Sequence, residues 1–409
     1  MGAEAISRIV VLVLDGVGIG ALPDAGAFGD EGTDTLGNLA RTAGGLSLPA
    51  LERLGLGAVA PVEGLKRRAE AGAYGMMAER SAGKDSTTGH WELAGLEVTE
   101  AFPTFPQGFP PAFVEAFERR IGRSVLGNRP ASGTVIIEEL GSEHMLTGNP
   151  ILYTSADSVF QLAAHEAVIG ADSLYDLCRR ARDLLDEMGL PVLRVIARPY
   201  TGEAGAYRRF GRKDFSLPPP GETVLDRLQE LQCPVLGIGK VGDLFCGRGF
   251  DEVWTTAGNE EGEEKVARAL AEWPRGLVLA NLMDFDTLYG HRKDIDGFAE
   301  ALREFDTFLG GRILPALSAR DLLVITADHG CDPTRESTDH SREYVPLLVA
   351  AQALNRGVPL GKRETFADVA ATVFEILVGG SWPRGASFWP EVENLWERED
   401  RRAAGRPGG

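Results

Sequence analysis

Residues 321–330, "DLLVITADHG", carry an apolar, β-branched run straight into Asp328, His329 and a glycine. A run of this kind reads as a buried strand, and the acid–imidazole pair marks the point where it opens into a loop. Residues 8–15, "RIVVLVLD", and 276–286, "GLVLANLMDFD", repeat the pattern. Each is an apolar run that stops at an acid. A helical stretch, "GFAEALREFDTFLGGRIL" (297–314), separates the last two. Strand alternating with helix predicts an α/β fold: a mostly parallel sheet with helices on both faces. Ligands in such sheets gather beyond the carboxyl ends of the strands, so three strands ending in aspartate aim their acids at one place.

The middle of the chain differs. "FPTFPQGFPPAF" (102–113) and "DFSLPPPGET" (214–223) are rich in proline or glycine and read as connectors. Between them lie a strand candidate, "ASGTVIIEELG" (131–141), and a helix candidate, "SLYDLCRRARDLLDEMG" (173–189). The expectation is an inserted α+β domain over 102–217, with residues 1–101 and 218–409 forming the core domain. From residue 396, "WEREDRRAAGRPGG" has no apolar face and reads as a frayed tail.

The 409 residues carry a formal net charge of −18. That excess argues against nucleic-acid and anionic-membrane partners, because no basic surplus exists to neutralise phosphates. A small phosphorylated substrate remains compatible, since bound divalent cations reverse the local field. Cys178, Cys233, Cys246 and Cys331 form no CxxC pair, which excludes a zinc knuckle and a redox motif and fits a reducing compartment. The run "IVVLVL" near the N-terminus is too short to span a bilayer and lacks a cleavage pattern. A soluble, cytoplasmic protein is expected.

The six histidines divide into two groups. His291, His329 and His340 stand beside acids in "DFDTLYGH" (284–291) and "ADHGCDPTRESTDH" (327–340). With Asp15, Asp286 and Asp328 they offer three carboxylates and three imidazoles, a donor set suited to two divalent cations. Singly, such an aspartate usually caps a helix and such a histidine is usually structural. Three acidic strand ends in one chain, two followed by histidine, favour a metal centre. His90, His144 and His165 lack the pattern. His90 is expected to shape its own loop, and the other two to be structural parts of the inserted block.

His90 closes "GKDSTTGH" (83–90). A serine hydroxyl is hardly ionised at neutral pH, but a coordinated cation lowers its pKa. A helix N-terminus adds partial positive charge and N–H donors for phosphate oxygens. Ser86, at such a junction, becomes a candidate nucleophile toward phosphorus. No Gly-x-Ser-x-Gly elbow is present.

The chain resembles the bacterial phosphopentomutases, a family of the alkaline phosphatase superfamily. The matching stretches are "LDGVGIGALPDA" (14–25), "GTDTLGNLA" (32–40), "GKDSTTGHWEL" (83–93), "LTGNPILYTSADSVFQLAAHE" (146–166), "RVIARPYTG" (194–202), "DFDTLYGHRKD" (284–294), "TADHGCDPT" (326–334) and "STDHSREYVPLL" (337–348). The metal motifs are common to the superfamily, whereas "YTSADSVFQLAAHE" (153–166) and "STDHSREYVP" (337–346) are much more particular to the family.

The resemblance implies an alkaline-phosphatase-like core with an inserted cap that binds the sugar phosphate. It implies one cation held by Asp15, Asp328, His329 and the nucleophile, and a second held by Asp286, His291 and His340, generally manganese. Ser86 would carry the phosphate, where many members have threonine. The implied reaction interconverts α-D-ribose 1-phosphate and D-ribose 5-phosphate, and the 2-deoxyribose pair, through a phosphoenzyme and a 1,5-bisphosphate. Asp157 and Ser155 would meet sugar hydroxyls, and Arg198, Lys240 and Arg292 are cationic candidates for the distal phosphate. The partners expected are small sugar phosphates only. Cofactor-independent phosphoglycerate mutase shares the metal set, but the 146–166 stretch tells against it. A metal-dependent phosphatase would need an open site, and a binding protein without turnover would have no use for Ser86.

Overall fold

The computed structural model describes residues 6–155 and 158–393; the tail from residue 396 lies outside them. Every residue of the strands Arg8–Leu14, Gly276–Leu282 and Asp321–Thr326 is buried. Each fully buried Val, Leu or Ile contributes about 1.5–3 kcal/mol relative to exposure. The Arg8–Leu14 strand lies between the other two and is parallel to both, with Leu14 opposite Leu282 and Val13 opposite Thr326. The three strands therefore end at one level, and Asp15, Asp286 and Asp328 all follow at that edge.

Contacts divide the chain into two units, residues 1–100 with 221–409, and residues 101–220. The first holds an eight-stranded sheet in the order 252–254, 235–238, 276–282, 8–14, 321–326, 345–350, 73–77 and 358–363. Five of its seven pairings are parallel, as the α/β reading predicts. The two antiparallel pairings join 345–350 to 321–326 and to 73–77. They matter for the site. An antiparallel Val345–Ala350 strand starts at the edge where its neighbours end, so the segment before it, including His340, falls beside Asp328. The Ala73–Met77 strand, antiparallel again, ends at that same edge and feeds the chain toward Ser86.

The second unit is a six-stranded sheet, with strands 126–130, 151–154, 159–165, 194–201 and 208–209 in order and 213–216 paired to 194–201. Alternation decides its two faces. Leu152, Phe160, Leu162 and Ala164 join a core under the helices Pro111–Ile121 and Ala171–Glu187. Ile151, Tyr153 and Ala163 turn the other way, against the helix Gly133–Thr147.

Two expectations fail here. The strand candidate at 131–141 is part of that last helix. Its β-branched run, Thr134 to Ile137, resembles a strand, but the buried positions Ile136, Ile137, Gly141 and His144 recur at helical spacing. Segment 102–113 is no bare connector either: Phe105, Phe109 and Phe113 are buried, and Phe109 and Phe113 lie edge-on or tilted against Phe160 and each other. Among the described residues, no helix is long and apolar enough to cross a membrane, and no disulfide links the four cysteines.

At the opposite edge of the core sheet, Arg8 and Asp321 face each other in register. The guanidinium donates twice to the carboxylate, both at 2.8 Å, and again to the Leu270 carbonyl at 2.8 Å. Both side chains are buried, so removing one leaves the other charge uncompensated. Replacing Arg8 with Met is expected to lower stability by about 3–5 kcal/mol in a denaturant titration. Replacing both residues by apolar ones should recover much of that loss; equal loss in the double variant would disprove the pin.

Candidate active site

Ser86 opens the helix Ser86–Leu93, with Asp85 as its N-cap. One carboxylate oxygen of Asp85 accepts from the Thr87 and Thr88 amides at 2.9 and 3.2 Å. This corrects one expectation: those helix-end donors are taken by the chain's own cap and are not on offer to a phosphate. The helix comes very close to the metal loop. A Cβ on Gly89 would stand 2.1 Å from the Asp328 carbonyl oxygen, so only glycine permits the approach.

The structure brings Ser86 and all six metal-ligand candidates into one cluster. Ser86 Oγ lies 3.1 Å from His329 Nε2 and 3.5 Å from Asp15 Oδ1. His329 Nε2 stands 3.3 Å from Asp15 Oδ1 and 3.4 Å from Asp328 Oδ2. A step away, Asp286 Oδ2 is 3.3 Å from His291 Nε2, and its Oδ1 is 3.5 Å from His340 Nε2. The His329 and His340 ring centroids are 4.1 Å apart and those of His291 and His340 4.7 Å. His291 Nδ1 donates to the Thr338 carbonyl at 2.6 Å and His329 Nδ1 to the Gly330 carbonyl at 3.0 Å. Those bonds place a proton on each Nδ1, so Nε2 is the ring atom that would face a ligand.

The residues present fit divalent cations. Asp286 Oδ1 and Asp328 Oδ2 are buried with no hydrogen-bond donor, although a buried carboxylate oxygen demands a partner. Asp15, Asp328 and His329 converge closely enough to grip one ion, and so do Asp286, His329 and His340. Cys331 joins Asp286 and His291 in a third such group.

Electrostatics follow from crowding. Burial alone would raise the Asp15 carboxyl, but Lys240 and His329 outweigh it and hold it well below the carboxylate range. Burial opposes charge on Asp286 too, and His340 and His291 reverse it, keeping that acid ionised. Burial would neutralise His329, yet Asp328 and Asp15 push it up to about 10. Lys240 is likewise disfavoured by burial but raised by Asp15, Asp286 and Asp328. A set of acids held ionised around one point is a strong cation trap.

Lys240 is not in the place expected for a distal-phosphate partner. Its ammonium donates to Ser86 Oγ at 3.0 Å and forms a close ion pair with Asp15. Arg292 is exposed, beside His291. Ser155 is half-buried, and Asp157 lies outside the described residues. Arg198 belongs to the second unit, where it donates to Gln161 at 3.2 Å. It lines a cleft of about 550 Å³ together with Arg209, Arg212, Tyr207 and Thr134. Burial, with Arg212 and Arg209 close by, holds Arg198 below its ordinary value, as expected where cations crowd to meet an anion. His144 and His165 are structural: His144 Nδ1 donates to the Asn149 carbonyl at 2.8 Å, and its Nε2 accepts from the His165 amide at 2.9 Å.

Sequence reasoning missed two polar residues. Asn281 donates to Asp15 Oδ2 at 2.9 Å. Its signal was a lone amide in an otherwise apolar strand, which needs a buried partner. Arg342 is buried and donates to Glu79 Oε2 at 2.9 Å and to the Ser81 and Gly83 carbonyls at 2.7 and 2.6 Å. It ties the segment after His340 to the loop before Ser86.

A family model for the Metalloenzyme superfamily matches residues 7–378, which assigns the broad class. Among curated proteins, the phosphopentomutase of Carboxydothermus hydrogenoformans is 55% identical over 390 residues, 95% of this chain and 100% of the relative. That of Caldanaerobacter subterraneus subsp. tengcongensis is 52% identical over 389 residues, 95% of this chain and 98% of its own. That of Anaeromyxobacter dehalogenans is 55% identical over 388 residues, 94% of this chain and 98% of its own. The chain belongs to the phosphopentomutase family, and with it to the metal-using enzymes that transfer phosphate as isomerases.

Because the cluster exists only in the folded chain, a divalent cation that binds it must stabilise the fold. At a hundred times its Kd the gain is about 2.7 kcal/mol per site. Chelator-treated protein should therefore melt at a lower temperature and recover on adding a divalent metal, and Asp328→Asn should recover much less. A melting point indifferent to metal would mean the cluster is not a metal centre.

Proposed function

We propose that this chain interconverts α-D-ribose 1-phosphate and D-ribose 5-phosphate, and the corresponding 2-deoxyribose phosphates, through a phosphorylated Ser86 and a 1,5-bisphosphate. The observation that carries the reading is the setting of Ser86 Oγ, within 3.5 Å of Asp15, His329 and Lys240 together. Relatives at 52–55% identity bear the name of this activity.

Two cations, Mn²⁺ by family resemblance, would be held by Asp15, Asp328, His329 and Ser86, and by Asp286, His291 and His340. When bound, they neutralise phosphoryl charge and favour the ionised hydroxyl. The protein's own groups do the rest. Lys240 donates to Ser86 Oγ, so it stabilises negative charge there as the hydroxyl proton leaves, and it keeps a hydrogen-bond donor beside any phosphoryl group that arrives. Phosphoryl transfer depends on such positioning and charge neutralisation more than on acid–base chemistry.

The enzyme enters the cycle phosphorylated and gives that group to one hydroxyl of the pentose monophosphate. It then recovers the other phosphate, which restores Ser86-phosphate and releases the isomer. In the inserted unit, Arg198 with Arg209 and Arg212 lines a cationic cleft that would suit the phosphate not in transfer, with Arg292 a further cationic candidate for it, while Ser155 and Asp157 are assigned to sugar hydroxyls. Small sugar phosphates are the partners proposed, and cysteines without disulfides fit a cytoplasmic setting.

Ser86→Ala is expected to abolish mutase turnover, a loss of several orders of magnitude, while circular dichroism stays unchanged. Mass spectrometry of the active wild-type protein should find phosphate on Ser86. Phosphate on Thr87 or Thr88 would move the nucleophile, and normal turnover by the alanine variant would end the proposal.

A further inference from the structure

His90 lies one helical turn after Ser86 and is fully buried. Its Nδ1 is 2.7 Å from the Ser86 carbonyl oxygen and 3.1 Å from Asp328 Oδ2. Its Nε2 faces the Asn281 amide nitrogen at 3.2 Å. Asn281 sits at the end of the strand Gly276–Leu282 and is 1% exposed. The same nitrogen is 2.9 Å from Asp15 Oδ2.

The polarity of this chain of contacts follows from the chemistry of its ends. A carboxylate only accepts, so Asn281 must present its NH₂ to Asp15. The second hydrogen of that group then points at His90, whose Nε2 must accept. The ring proton therefore sits on Nδ1 and is given to the Ser86 carbonyl, beside Asp328. In this orientation Asn281 Oδ1 is left buried with no donor. The amide is thus spent on the two groups it faces, the Asp15 carboxylate and the His90 ring.

We propose that His90 and Asn281 are positioning residues for the cation site nearest Ser86. Asn281 fixes the rotation of Asp15. His90 stands behind Asp328 and binds the first turn of the nucleophile helix, so one imidazole holds the ligand carboxylates and the Ser86 backbone in a single frame. The Asp286, His291 and His340 set has no contact with this pair among the described hydrogen bonds. The inference rests on the preceding reading that these acids hold cations.

Titration of chelator-treated protein with Mn²⁺, followed by calorimetry and by metal content after dialysis, tests it. Wild type should take up two ions. Asn281→Leu and His90→Asn should weaken one of them about 10–100-fold and leave the other unchanged, the size usual for groups that orient metal ligands. In Asn281→Leu kcat should fall with little change in KM, and the loss of affinity should be confined to the one ion. Two ions bound at wild-type affinity in both variants would overturn the inference. So would equal weakening of both sites with a lowered metal-free melting point, which would mark a structural role. If His90→Asn fails to fold, Asn281→Leu decides alone. A wild-type protein that binds no Mn²⁺ would overturn the metal reading itself, and this inference with it.

Discussion

Three aspartates buried at one edge of the sheet are the constraint around which the rest is arranged. Asp15, Asp286 and Asp328 are almost wholly removed from water, and two like charges about 4 Å apart repel by about 4 kcal/mol even at an effective dielectric of 20. A fold does not hold such a set ionised without opposing charge. The chain supplies part of it as His340 and His291 beside Asp286, and as His329 and Lys240 beside Asp15. That compensation is incomplete, as the orphaned oxygens of Asp286 and Asp328 show. Divalent cations held by these residues would complete it, and would draw a negative phosphoryl group to a place that was itself negative.

The sheet makes this crowding possible. Because Arg8–Leu14 is flanked in parallel by the other two strands, their register alone delivers three acids to one edge. The bidentate Arg8–Asp321 pair opposes any slip at the far end. A one-residue shift would turn every side chain of a strand to the other face. The two antiparallel strands then deliver the His340 and Ser86 segments to the same edge. Arg342 and Lys84 join those segments directly: Lys84 pairs with Asp30 at 3.0 Å and with Asp339 at 3.4 Å.

Much of this was legible in the sequence, for a physical reason. A buried parallel strand must be apolar throughout, so an acid at its end stands out. Three such ends, with histidines close by, named the cluster before any fold was known. What escaped was set by tertiary context. The run "TVII" favours a strand locally, and only the neighbouring sheet selects the helical spacing of Ile136, Ile137 and His144. The aromatic residues of 102–113 were hidden by the prolines between them, though Phe109 and Phe113 are central to the inserted core. Lys240 was misplaced because nothing in "GIGKVGD" says that its ammonium reaches Asp15 across the edge of the sheet.

Lys240 also bears on why Ser86 would be reactive in the proposed reaction. A helix N-terminus is often credited with activating a nucleophile, but here the Asp85 side chain already accepts from the Thr87 and Thr88 amides. The positive potential at Ser86 Oγ must come from elsewhere. The ammonium at 3.0 Å is the nearest fixed source in the chain, and His329 is the next. Both are raised by the same aspartates that would hold the cations. The acids thus act twice: they create the cation site, and they keep the lysine and histidine charged when no cation is there. A cation held there would compete with these two groups for Asp15, and the Ser86 hydroxyl lies within 3.5 Å of all three residues. On the proposed reading, the nucleophile would be activated by the centre as a whole, with the helix serving to hold the serine in place.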